Sequence, residues 1–254
     1  LDAGPILADY FRNNVDLKNA VVVAPDAGSM KRVIKYAQRL ELPVAILDKR
    51  RSGNIEKAKI YHIIGEVKGK DIVVVSDDIY DRLIYKGRFE NVLGVEPSLL
   101  PQVVLVNGVS KTYSMTGWRI GWTAGPQPLI SAMQKLQDNS TSNPASISQK
   151  AALAALTLPL DEEVERMRKI FDDRRQHIVK RLNSIEGITA FDPGGAFYVF
   201  PYIGELLKRK APGQSEPLGN DDRFIAHLLD VHKVAAVPGS AFGAPGYMRL
   251  SFAI

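Results

Sequence analysis

The stretch Val106-Asn107-Gly108-Val109-Ser110-Lys111-Thr112-Tyr113-Ser114-Met115-Thr116-Gly117-Trp118-Arg119-Ile120-Gly121 decides the reading of this chain. It begins at the end of a β-branched, apolar run, Val103 to Val106, which reads as a buried strand. A lysine follows just past that strand, and an arginine eight residues after the lysine. That spacing is unusual for surface decoration. Upstream, Ile72 to Ser76 is a second continuous apolar run, and it ends in Asp77-Asp78. In open α/β sheets the carboxyl ends of strands are where ligands bind. A solvated turn at a strand end is the commoner fate of such an acidic pair taken alone.

Working outward, Val21 to Val23 and Pro43 to Leu47 read as strands flanking a helix over Ser29 to Leu40, a βαβ unit of a parallel sheet. Ile60 to Ile64 reads as an edge strand and Ile120 to Ala124 as a further strand. Helical spacing covers Leu129 to Leu136, the alanine-rich Ser146 to Leu156 and the long Asp161 to Leu182. Acids at 161–163 suit the positive end of that last helix. Beyond it lie short strands at Phe197 to Phe200, Val234 to Val237 and Met248 to Phe252, around one helix near Asp222 to Leu229. The expected fold is α/β: a three-layer α/β/α, mostly parallel sheet over residues 1–158, then a linking helix and a small α+β domain over 159–254.

The 254 residues are 45% hydrophobic and 24% charged, as in ordinary globular proteins. The absence of cysteine excludes disulfides and a thiol nucleophile, and fits a reducing, cytoplasmic setting. No apolar run approaches the roughly 18 residues of a membrane span, so no membrane partner is expected. The first residues, LDAGPILADYF, lack the basic start of a signal peptide. The net charge of +5 is spread among acids, and its densest cluster is Lys49-Arg50-Arg51. A small anionic ligand accounts for that cluster at least as well as DNA does, so no nucleic-acid partner is expected.

The stretch 106–121 resembles the class I (aspartate/aromatic) aminotransferases of fold type I. The likeness continues through Thr141 to Gln149, Gly195 to Pro201, Val237-Pro238-Gly239 and Met248 to Phe252. The resemblance implies a pyridoxal 5'-phosphate enzyme acting on an amino acid and a 2-oxo acid, as a homodimer. It implies Lys111 as the Schiff-base lysine and proton shuttle. Asp77 would be the partner of the pyridinium nitrogen, Tyr80 that of the ring hydroxyl, and Arg119 the phosphate-binding arginine. Ser110 is a weaker phosphate candidate, because Gly108 stands where many members place that serine. Arg249 would clamp the substrate carboxylate. Without the resemblance, Arg249 reads as a strand-face arginine and Tyr80 as a core tyrosine.

Residues 1 to about 75 instead resemble the second domain of ribose-phosphate pyrophosphokinase. The carrying residues are Ala3 to Phe11, Val23 to Gly28, Ile46 to Arg51 and Ile63 to Lys70, with Lys49 and Arg51 as its flexible-loop cations. The two resemblances meet at Asp77-Asp78-Ile79-Tyr80-Asp81. That string fits the pyrophosphokinase ribose signature, but Arg82 to Tyr85 replaces its phosphate cradle. The expectation is therefore a chimera with a hybrid sheet of phosphoribosyltransferase-like and aminotransferase-like strands. The aminotransferase phosphate loop, stacking ring and Asn-Pro loop are not visible before Asp77, and the family's further helix is not visible after Ile254. Weak cofactor binding and slow or absent transamination are expected. The alternatives are a folded scaffold without turnover and a ribose-phosphate or nucleotide-binding module.

Overall fold

The computed structural model describes residues 11–13, 16–24, 30–50, 59–65, 69, 74–212 and 215–253. Within 46–50 and 59–64 it describes the backbone alone. The stretches 3–10, 25–28, 66–68 and 70, with Arg51 and the side chain of Lys49, lie outside the described residues.

The chain forms two units. One comprises Leu1–Arg82 with Gly87–Leu160, the other Leu83–Lys86 with Asp161–Ile254. In the first unit, β1 (Val22–Ala24), α1 (Met30–Leu40) and β2 (Val44–Arg50) form the expected βαβ unit, with β1 parallel to β2. β3 (Lys59–Ile64) completes that sheet at an edge, antiparallel to β2. β4 (Val74–Asp77) leads through a short helix, α2 (Val92–Val95), and a 3-10 turn to β5 (Val103–Gly108). β4 and β5 pair in parallel, whereas β6 (Gly121–Ala124) returns antiparallel to β5. Two helices follow, α3 (Gln127–Ser140) and α4 (Ser146–Thr157).

This corrects two expectations. The described strands form separate three-stranded sheets, β1-β2-β3 and β4-β5-β6, in place of one hybrid sheet. Each sheet is mixed in place of mostly parallel. The reason is connection length. A parallel crossover takes a dozen or more residues and usually a helix. The link 51–58 is shorter than that, and 109–120 is spent on the lysine turn and a 3-10 turn at Thr116–Trp118.

The second unit begins with α5 (Asp161–Asn183), acidic in its first turn and basic in its last. Its buried stripe is Val164, Phe171, Arg175 and Leu182. β7 (Tyr198–Val199), α6 (Gly204–Leu207), α7 (Asp221–His232), β8 (Val237–Pro238) and β9 (Met248–Ser251) follow. The strands form an antiparallel sheet in the order β7-β9-β8. Its core gathers Leu182, Val199, Ile203, Leu207, Ile225 and Met248. Asn220 caps α7 by accepting from the Arg223 amide at 2.9 Å. The buried Asp221 beside it accepts from the Ser240 amide at 2.6 Å, fixing the turn after β8.

A charged residue as buried as Arg175 must be paired. It pairs with Asp172 at 2.7 Å and also with Asp192, which in turn binds Lys86 at 2.6 Å. Its guanidinium lies 5.3 Å from the centre of the Tyr85 ring. This network secures the strap 83–86. Leu83 is fully buried, its carbonyl accepts from the Ala196 amide at 2.8 Å, and the Tyr85 hydroxyl donates to the Ala196 carbonyl at 2.5 Å.

Burial first, then the Asp172 carboxylate, pushes the Tyr85 phenol up to about 12, against the opposing pull of Arg175 and Arg168. Because the folded value lies above the ordinary value of 10.0, the contribution of this phenol is fully present below pH 10 and is lost as pH rises toward about 12. Denaturant unfolding of the wild type and Tyr85→Phe should therefore converge across that window, by about 1 kcal/mol after allowing for solvent screening. A constant gap between the two chains would refute this.

Candidate active site

The parallel register sets the geometry. Val74 pairs with Val103 and Asp77 with Val106, so β4 and β5 end side by side at their carboxyl edge. The Asp78 amide closes that last pair by donating to the Val106 carbonyl at 2.8 Å. Asp77 closes β4 with its carboxylate exposed, and its Oδ1 accepts from the Ile79 amide at 3.3 Å. Asp78 is buried and accepts from the Ser76 hydroxyl at 2.6 Å. Tyr80 sits half-buried in the turn that follows.

On the neighbouring strand, Ser110 and Lys111 occupy the turn directly after Gly108, and both are half-buried. The turn is packed from behind. Val109 is fully buried against Ala152 and Ala155 of α4, with Tyr113, Met115 and Ile120 alongside. The alanine-rich texture of α4 thus has a specific use, since small side chains let the helix approach the lysine turn closely. Hydrogen bonds from the Tyr113 amide to the Val109 carbonyl (3.2 Å) and from the Ser114 amide to the Lys111 carbonyl (3.3 Å) close it.

Arg119 ends the 3-10 turn in the left-handed region, at φ 52°. Its guanidinium donates to the Thr116 carbonyl at 3.0 Å and is otherwise exposed. A planar fork so presented can take an anionic oxygen pair. Asp77, Tyr80, Ser110, Lys111 and Arg119 all belong to the first unit. Arg249 belongs to the second, on β9, where the Tyr198 and Phe242 rings hold its guanidinium at 4.5 and 4.6 Å. Among the described residues no group of acids and histidines could hold a metal ion, and no helix is long and apolar enough to cross a membrane.

Three polar residues at this edge were not singled out from sequence. The Asp81 carboxylate accepts from Asn107 Nδ2 and from Thr112 Oγ1, each at 3.1 Å. Asp81 stands in an acidic string, but its partners lie 26 and 31 residues away and no local pattern marks them.

The model of the family described as aminotransferase class I and II matches residues 54–254. The chain belongs to that family. Members of the family depend on pyridoxal 5'-phosphate. The chain is 45% identical over 204 residues to an aspartate aminotransferase of Geobacillus stearothermophilus, covering 80% of this chain and 50% of that one. It is 39% identical over 246 residues to an aspartate aminotransferase of Rhizobium meliloti, covering 92% and 58%. The crystal structure of the Rhizobium meliloti aspartate aminotransferase superposes with a TM-score of 0.73 at 31% identity, over 99% of this chain and 70% of that one. An aspartate aminotransferase structure from Thermotoga maritima gives 0.66 at 27% identity. The chain spans about half the length of the curated relatives it matches.

Close backbone approach at Gly121 keeps β6 against β5. A Cβ there would meet the Asn107 carbonyl oxygen at 2.8 Å, whereas one at Gly117 would meet nothing within 4 Å. Gly121→Ala should destabilise the chain by about 1–3 kcal/mol. Gly117→Ala should stay within about 0.5 kcal/mol of the wild type. Equal unfolding midpoints for the two variants would count against this account of the edge.

Proposed function

We propose that this aminotransferase chain encodes pyridoxal 5'-phosphate-dependent transamination between an amino acid and a 2-oxo acid. The observation that carries the reading is the placement of Asp77 and Lys111 at the carboxyl ends of two adjacent parallel strands. The donor set at that edge fits the cofactor: a carboxylate for a ring nitrogen, a phenol for a ring hydroxyl, an amine for an aldehyde, and a hydroxyl and a guanidinium for a phosphate.

Bound there, the cofactor supplies an electron sink for charge developing at the substrate α-carbon. Asp77 holds the ring nitrogen protonated and Tyr80 orients the ring hydroxyl. Ser110 and Arg119 bind the phosphate. Lys111 binds the cofactor and moves the proton to and from the substrate α-carbon, which requires its amine uncharged. Arg249 takes the substrate α-carboxylate through a bidentate fork, supported by its contacts with the Tyr198 and Phe242 rings at 4.5 and 4.6 Å. The substrate pair is an amino acid and a 2-oxo acid, and the assembly is a homodimer. The domains are 1–158 and 159–254.

A ribose-phosphate module in residues 1–75, and with it the chimeric reading, is less favoured. The family match begins at residue 54, and the Rhizobium meliloti relative aligns over 92% of the chain, so both reach into that segment.

Adding pyridoxal 5'-phosphate to the full chain should produce a visible absorption band. Reduction with borohydride followed by peptide mapping should place the label on Lys111. Lys111→Ala should lose both band and label. A label scattered over surface lysines, equal in wild type and variant, would end this reading.

A further inference from the structure

The β4–β5 ladder stops at the Asp77–Val106 pair, yet both site-bearing turns lie beyond it. One carboxylate continues the connection. Asp81 Oδ2 accepts from Asn107 Nδ2 and Asp81 Oδ1 from Thr112 Oγ1, each at 3.1 Å. The two donors bracket Lys111: Asn107 precedes it at the end of β5, and Thr112 follows it directly. Asn107 is oriented, because its Oδ1 accepts from the Gly108 amide at 2.6 Å and so turns the amide nitrogen toward Asp81. Thr112 is 3% exposed, so its hydroxyl cannot exchange this partner for bulk water. Hydrogen bonds to an ionised acceptor are the stronger kind, and both oxygens of this acceptor are used.

We propose that Asp81 is a positioning residue for Lys111. Its carboxylate clasps the lysine turn from both sides and holds it in register with the turn carrying Asp77 and Tyr80. The value of this register rests on the reading of Lys111 as the cofactor-binding lysine. A sub-ångström placement of that amine against the ring is what such a reaction demands.

The test uses full-length Asp81→Asn and Thr112→Val, with Thr112→Ser as the conservative variant that keeps the hydroxyl. In the absence of cofactor, lysines are acylated with limiting acetic anhydride and read by mass spectrometry, with exposed Lys135 and Lys150 as internal references. Asp81→Asn and Thr112→Val should each change the labelling of Lys111 relative to the references by about threefold or more, and should speed amide exchange across 110–114 by about tenfold. Thr112→Ser should behave as the wild type. With pyridoxal 5'-phosphate added, the pH midpoint of the visible band should shift in the first two variants only. A lowered unfolding midpoint with unchanged Lys111 labelling and an unchanged pH profile would overturn the proposal and leave Asp81 a merely structural residue. If Asp81→Asn does not fold, Thr112→Val decides alone by the same readings. A wild type that forms no band, together with Lys111-selective changes in labelling, would refute the cofactor reading while supporting the clasp.

Discussion

Parallel pairing of β4 with β5 is the constraint on which the rest of the site depends. Strands so paired end on the same side, and each then turns out of the sheet carrying polar side chains. An antiparallel pairing would send Asp77 and Lys111 to opposite ends of the sheet. The residues that secure the pairing are ordinary ones. Val103 and Val104 are buried and β-branched, and suited to a strand covered on both faces. Gly121 lets β6 approach the Asn107 carbonyl and keeps β5 central. The valines therefore fill the ladder, while Asp77 closes it and Tyr80, Ser110 and Lys111 lie just past its end.

The second unit solves a different problem, that of holding a cation in place. The guanidinium carbon of Arg249 lies 4.5 Å from the centre of the Tyr198 ring and 4.6 Å from that of Phe242, within cation–π range of both. Arg175 has the opposite treatment. It is buried, both of its carboxylate partners are in contact, and its donors are consumed in binding Asp172 and Asp192. Two arginines of one small unit thus differ in their partners, aromatic rings for Arg249 and carboxylates for Arg175. The Arg175 network also secures Leu83–Lys86, the segment that directly follows the turn carrying Asp77, Tyr80 and Asp81.

Much of this was legible in the sequence because it is local. Helix periodicity placed Met30–Leu40, Ser146–Thr157 and Asp161–Asn183 within a residue or two. Apolar runs found the strands, and the run into Asn107-Gly108 located the lysine turn. Strand direction was not legible, since periodicity reports which faces are apolar and says nothing about which way a strand runs. Counting the residues available for each crossover would have supplied the answer at 51–58. The strap 83–86 was also hidden. Nothing about Leu83 in sequence indicates that it is the most buried side chain of a segment belonging with residues more than a hundred positions later.

Asp81 shows why the acidic string carried two readings. Taken as a linear pattern, Asp77-Asp78-Ile79-Tyr80-Asp81 offers three carboxylates that look equivalent. In the fold they separate by environment. Asp77 is exposed at the strand end, Asp78 is buried and accepts from Ser76, and Asp81 spans to Asn107 and Thr112. A sugar-binding acidic cluster needs its carboxylates turned together toward one ligand. Here Asp78 is buried on Ser76 and Asp81 is tied to Asn107 and Thr112, whereas Asp77, which accepts from the Ile79 amide at 3.3 Å, is the exposed carboxylate of the three. That distribution suits a single cationic ring nitrogen better than the several hydroxyls of a ribose, and it follows from the side chains of the first unit alone.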